Sequence, residues 1–173
     1  MPFGEDPTSV LQTMSTKNIS RLLATAALVF FGSTAAVGAK PIQRDQGTKP
    51  WVVNIEKLTT DNQDFRDTRW TGRQLQLTVM SLNPGEDIGL EVHERGDQFI
   101  RVEQGKAHVQ MGLSESNLTY DKTVLDDWAI FIPEGYWHNI TNRGTNPLKV
   151  YVIYAPPEHP HGTRHQSKPS DEH

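Results

Sequence analysis

Glu91, His93, Gln98 and His138 are the residues whose types and spacing point to chemistry, because together they offer a carboxylate, two imidazoles and an amide. In the run Gly85 to Gly105, read with a period of two, Gly89, Glu91 and His93 share one face of a strand while Leu90 and Val92 take the other. Glu94, Arg95, Gly96 and Asp97 then read as a turn, since Gly and Asp tolerate the backbone angles of a tight reversal. A second strand follows, with Gln98, Ile100 and Val102 on one face, and stops at Gly105. The predicted hairpin brings Glu91, His93 and Gln98 to one side of a sheet. A second stretch, Ile132 to Asn142, supplies the next ring nitrogen: Pro133 fixes its own backbone, Gly135 permits a sharp bend, and His138 opens the strand beyond. Two hairpins are therefore expected to converge on one pocket.

These stretches resemble the cupin superfamily. Its first motif is G-x5-H-x-H-x3,4-E-x6-G and its second is G-x5-P-x-G-x2-H-x3-N. On the first, Gly85, His93 and Gly105 match in type, Glu91 stands at the first histidine, and Gln98 stands at the glutamate. On the second, Pro133, Gly135, His138 and Asn142 match, and Asp127 stands at the first glycine. The resemblance runs from residue 75 to 155. The wording DQFIRVEQG, IPEGYWHN and YAPPEHPHGT looks more narrowly like small single-domain cupins called mannose-6-phosphate-isomerase-like, a label that implies no known reaction. The fold implied is all-β, a cupin-type antiparallel jelly-roll barrel in a single domain.

The resemblance implies a metal site at Glu91, His93, Gln98 and His138 for a divalent ion. The usual cupin set of three histidines and one glutamate carries one negative charge, and here the exchange of His for Glu at one position and Glu for Gln at another preserves it. Nitrogen and oxygen donors of this mix suit Fe, Mn, Zn or Ni and do not select among them. Open coordination positions would take a small-molecule substrate. Two chemistries branch from this set: isomerase- or cyclase-like proton transfer with Glu91 as the catalytic base, or an Fe-dependent dioxygenase. The carboxylate in place of an imidazole favours the first. The alternative is a non-catalytic binding module for a sugar or small organic acid, and the neutral amide of Gln98 is the feature that speaks for it. Taken singly, His93 or His138 would be a structural histidine, and Glu91 on a buried face needs a cation or a proton as partner.

Composition bounds the rest. The chain has 173 residues, 35% of them hydrophobic, a net charge of −4 and a pI near 5.9, which fits one domain and gives no basic surface for nucleic acid. With no cysteine, disulfides and thiolate ligands are excluded. Residues 1–39 read as a signal peptide. Lys17 and Arg21 precede an apolar block from Leu22 to Phe31, too short to span a bilayer, and Val37-Gly38-Ala39 offers a cleavage site. Glu5 and Asp6 suit a signal poorly, so Met14 is an alternative start. Export to the periplasm or outside follows, with no membrane association after cleavage.

Residues 40–73 read as an N-terminal arm and first strand, the strand at Trp51 to Ile55 and a loop at Thr59 to Arg73. Residues 74–155 form the barrel, beginning with a half-buried strand at Leu75, Leu77 and Val79. Short strands recur at regular spacing through Leu148 to Tyr154. The small core leaves room for a homodimer. Asn142 is expected to tie backbone at a turn, His108 to be exposed, and Tyr136 and Trp137 to pack at the barrel mouth. Residues 156–173 form a His-rich tail with His159, His161, His165 and His173, read as a solvated terminus partly ordered by packing, with a second metal site as the alternative.

Overall fold

The computed structural model describes residues 44–170. Its elements are α1 (Ile55–Thr60), β1 (Arg66–Thr71), β2 (Gln76–Leu82), β3 (Asp97–Gln104), β4 (Lys106–Gly112), β5 (Tyr120–Leu125), β6 (Ala129–Ile132), β7 (Trp137–Asn142), β8 (Leu148–Ala155) and β9 (Arg164–His165). They form a six-stranded sheet, β6-β3-β8-β2-β1-β9, and a three-stranded sheet, β5-β4-β7. Every pairing is antiparallel, and the architecture is an all-β jelly roll. The signal segment expected over residues 1–39 and His173 lie outside the described residues.

Strand register explains where a site forms. Because cross-strand partners share a face, Gln98 (β3), Tyr154 (β8) and Gln76 (β2) make one inward row. Ile100, Val152 and Thr78 make the next, and Val102, Val150 and Met80 the third. All nine are buried. The interior thus grades from polar at one end to apolar at the other. In the smaller sheet, His138, Ile140 and Asn142 point inward from β7 opposite Met111, Val109 and Ala107 of β4. The apolar members of both sheets join one buried cluster, which includes Phe65, Leu82, Ile88 and Leu148.

Asn142 ties backbone as expected. Its amide nitrogen donates to the Leu82 and Asn146 carbonyls, both at 2.9 Å, and its oxygen accepts from the Gly144 amide at 2.8 Å. Asp127, at the second motif's glycine position, holds φ at 70°, the left-handed region that glycine favours.

Several expectations need correction. Trp51 to Asn54 has no regular structure, and Ile55 begins α1 rather than ending a strand. The cause is local: the Asn54 side chain accepts from the Lys57 amide at 2.9 Å and caps a helix. The stretch Thr59 to Arg73 is not all loop, because it contains β1. Strand β2 is buried along its whole length rather than on one face, being covered on both. Gly85 to Gly105 is not a hairpin: β3 pairs with β6 and β8, whereas the segment before it runs beside β7. His108 is half-buried and paired with Asp121 at 3.0 Å across β4 and β5.

Candidate metal centre

The segment from Gly85 to His93 acts as an irregular fourth strand on the edge of the smaller sheet. Gly85 donates to the Asn142 carbonyl at 3.0 Å, Ile88 to Ile140 at 3.1 Å, and Asn142 to Glu86 at 2.8 Å. Glu91 and His138 then exchange both backbone hydrogen bonds, at 3.0 and 2.9 Å, forming an isolated antiparallel bridge. Main-chain geometry alone therefore sets these two side chains next to each other. His93 is tied in by its carbonyl, which accepts from the Gly135 amide at 2.8 Å. The two motif turns are also stitched together. Gly96 donates to the Glu134 carboxylate at 3.0 Å, and the Glu134 amide donates to Asp97 Oδ1 at 3.1 Å.

The result is a close cluster. One donor atom from each of Glu91, His93 and His138 lies within 4.8 Å of the others. Glu91 Oε1 is 3.3 Å from His138 Nε2 and 3.5 Å from His93 Nε2. None of these three buried atoms has a hydrogen-bond partner. His138 is fully buried, and its Nδ1 faces the Tyr136 carbonyl at 2.9 Å. A carbonyl only accepts, so Nδ1 carries a proton, and Nε2 is the ring atom turned toward Glu91. Two imidazole nitrogens and a carboxylate oxygen gathered this closely in a buried site, none with a hydrogen-bond partner, suit a shared cation. The residues fit a divalent ion on that ground, and the bond from His138 Nδ1 to the Tyr136 carbonyl is the kind that orients ligand imidazoles.

The same proximity sets the electrostatics of the cluster. Burial would raise the Glu91 carboxyl, but the imidazoles of His138 and His93 outweigh it and hold it at about 2. Burial lowers His93, and Glu91 with Glu158 more than reverses this, so its net shift is upward. Gln98, the fourth predicted ligand, lies on β3 with only 3% of its surface exposed and with both amide atoms unpartnered. Glu91, His93 and His138 are thus gathered, and Gln98 is buried in the polar row opposite Tyr154.

Sequence reasoning missed two neighbours of this site. Tyr154 stands edge-on between His93 and His159, with ring centroids 5.6 and 5.0 Å away, and burial, followed by Glu91, pushes its phenol upward. Its position in the alternating run Leu148 to Tyr154 was the only signal. Glu158 Oε2 lies 3.5 Å from His93 Nδ1. The tail that carries it is docked rather than solvated. Gln76 donates to the His159 carbonyl at 2.8 Å and accepts from the His159 amide at 2.9 Å, and β9 pairs with β1. His159 is held at about 4, by burial first and Arg66 second.

Comparison with known proteins places these features in context. The family described as "Cupin domain" matches residues 78–154. YrkC of Bacillus subtilis, an uncharacterized protein, is 54% identical over 125 residues, covering 72% of this chain and 67% of its own length. The uncharacterized protein L612 of Acanthamoeba polyphaga mimivirus is 40% identical over 113 residues, covering 65% and 69%. Among solved structures, BH2720 of Bacillus halodurans shares 56% identity with a TM-score of 0.70, covering 71% of this chain and 93% of that one.

Proposed function

Given that the chain belongs to the cupin superfamily, we propose that it is a metal-dependent enzyme acting on a small molecule, with Glu91, His93 and His138 holding a divalent ion and Gln98 as a fourth donor. The observation that carries this reading is the convergence of three unpartnered buried donor atoms on one point. When bound, the ion would polarise a carbonyl or hydroxyl of the substrate. His138 contributes a ring fixed by the Tyr136 carbonyl. Glu91 contributes the single negative charge, and a carboxyl held at about 2 stays ionised throughout the physiological range.

Isomerase-like proton transfer is the branch this donor set favours. Glu91 turns Oε1 toward the imidazoles, and its second oxygen is the atom that would take a substrate proton; a carboxyl held at about 2 is a weak base, so the transfer would depend on the ion acidifying the substrate. The dioxygenase branch is weakened by the loss of an electron-rich nitrogen at this position. Two buried polar side chains of the inward row beside His93, the Tyr154 phenol and the Gln98 amide, would orient a small substrate. A binding module without catalysis is the second reading, favoured by the neutral amide of Gln98.

Metal analysis of the purified protein decides between them. Stoichiometric metal that is lost in both Glu91→Ala and His138→Ala supports the enzyme reading. A metal-free protein that still binds a sugar or small acid supports the module. The export expected from residues 1–39 belongs to the same proposal, and N-terminal sequencing of protein recovered from cells tests it: a chain beginning at Lys40 supports it, and an intact leader opposes it.

A further inference from the structure

We propose that Glu158, brought in by the C-terminal segment, is a positioning residue for the metal centre, and that docking of this segment is thereby coupled to metal affinity. The inference rests on the metal-centre reading above. It starts from an asymmetry between the two imidazoles. His138 is locked by full burial and by the Tyr136 carbonyl on Nδ1. His93 sits in the irregular segment before β3, and neither its own segment nor the motif strands supply a hydrogen bond to Nδ1. Glu158 Oε2 lies 3.5 Å from Nδ1, an ion-pair contact, while Glu91 Oε1 lies 3.5 Å from the ring's other nitrogen. A carboxylate there favours the Nδ1–H tautomer and leaves the Nε2 lone pair for the shared point, which is how outer carboxylates commonly orient histidine ligands.

The segment is built to hold that carboxylate in place. The Gln76 side chain clamps the His159 backbone on both sides, next to Glu158, and also accepts from the Glu158 amide at 3.3 Å. Further along, Gly162 donates to Asp45 at 3.1 Å, and Arg164 grips Asp64 through two bonds of 2.8 and 2.9 Å. Gln76 contributes no ligand atom, so its role at the metal runs through the tail. Reciprocity follows: if docked Glu158 tightens metal binding, bound metal tightens docking.

The test is Co²⁺ titration by calorimetry of the full chain and of Glu158→Gln, Glu158→Asp and Gln76→Ala, with Glu115→Gln as an exposed control. The Glu158 side chain is 44% exposed, which places the expected loss at the low end of the range for outer partners, about tenfold for Glu158→Gln. Glu158→Asp keeps the charge and should retain more affinity. Co²⁺ should slow trypsin cleavage after Arg164 in the native chain, and less so in Glu158→Gln. If the native chain binds Co²⁺ and Glu158→Gln binds it equally well, the positioning role is refuted while the metal centre stands. If Glu158→Gln loses tail protection without metal, the role is merely structural and the proposal also fails. A native chain that binds no Co²⁺ overturns both readings.

Discussion

Glu91→Gln isolates the charge at the proposed centre while keeping its shape. In the native chain a divalent ion would meet one carboxylate oxygen and two imidazole nitrogens that lie within 4.8 Å of one another. Binding confined to the folded state, with metal at about 100 times Kd, adds about 2.7 kcal/mol. For a folded region of this size that raises Tm by about 10 °C. The variant offers two neutral imidazoles and an amide. Loss of an outer partner alone weakens metal sites about 10- to 100-fold, so loss of the anionic ligand should weaken this one at least 100-fold. The same metal concentration then adds only about 0.4 kcal/mol, a shift of about 1 to 2 °C. In chelator the variant should unfold within about 1 kcal/mol of the native chain, because the amide can donate to one of the facing imidazoles. Thermal unfolding with and without Fe²⁺, Mn²⁺, Zn²⁺ or Ni²⁺ reads the difference. A variant that keeps the full shift, or a native chain that shows none with any of these ions, refutes the reasoning.

Other parts of the molecule give independent expectations. Asn142→Ala strands two carbonyls and one amide in the interior and should cost about 3 kcal/mol in urea unfolding, at about 1 kcal/mol for each lost partner; a loss below about 1 kcal/mol would show that water replaces them. Gly96→Ala should destabilise more than Gly85→Ala. Both glycines have positive φ, but a Cβ at Gly96 would meet the Ala155 carbonyl oxygen at 2.4 Å, whereas at Gly85 it meets nothing within 4 Å. Equal losses would mean the backbone at Gly96 shifts freely. Acid should release the tail. The Arg164 hydrogen bond holds the Asp64 carboxyl below its ordinary value, and at Asp87 burial is outweighed by the hydrogen bonds from Lys168, the Gly89 amide and Asn139 together, to the same effect. Both groups stabilise the fold fully above their unfolded values, and the contribution is lost as pH falls through the lowered folded ones, so hydrogen-exchange protection of the tail amides, after correction for the intrinsic rate, should fall steeply below about pH 4.

The site was more legible in the sequence than the frame around it. Glu91, His93 and His138 could be placed because motif spacing fixes them to turns whose Gly and Pro residues show in the chain. Their partner strands could not. The hairpin expected over Gly85 to Gly105 fails because Glu91 exchanges backbone bonds with His138, a residue 47 positions later, and alternation alone carries no sign of which edge a strand will choose. Strand β1 was hidden for another reason. Arg66, Asp67 and Thr68 are all buried, so no apolar alternation marks it, and Asp67 is satisfied by Arg44 and Arg69. At Trp51 to Asn54 the β-branched pair suggested a strand, yet a single capping side chain decides the local structure. The docked tail was illegible because its clasps, Gln76, Asp45 and Asp64, lie 83 to 117 positions away.

The three donors are thus held by unequal means, and the least constrained of them sets the affinity of the whole. His138 belongs to a strand, Glu91 is bonded to that strand through its backbone, and His93 depends for its ring orientation on a segment that returns from the far end of the chain. If Gln76 acts on the metal only by seating Glu158, the two residues form one link and their losses should not add. The double variant Gln76→Ala with Glu158→Gln is therefore expected to bind Co²⁺ within about twofold of Glu158→Gln alone, whereas independent effects would multiply. Multiplied losses would show that Gln76 shapes the polar row beside Tyr154 directly, and the route from tail to metal would then have to run through the interior and not through His93 Nδ1.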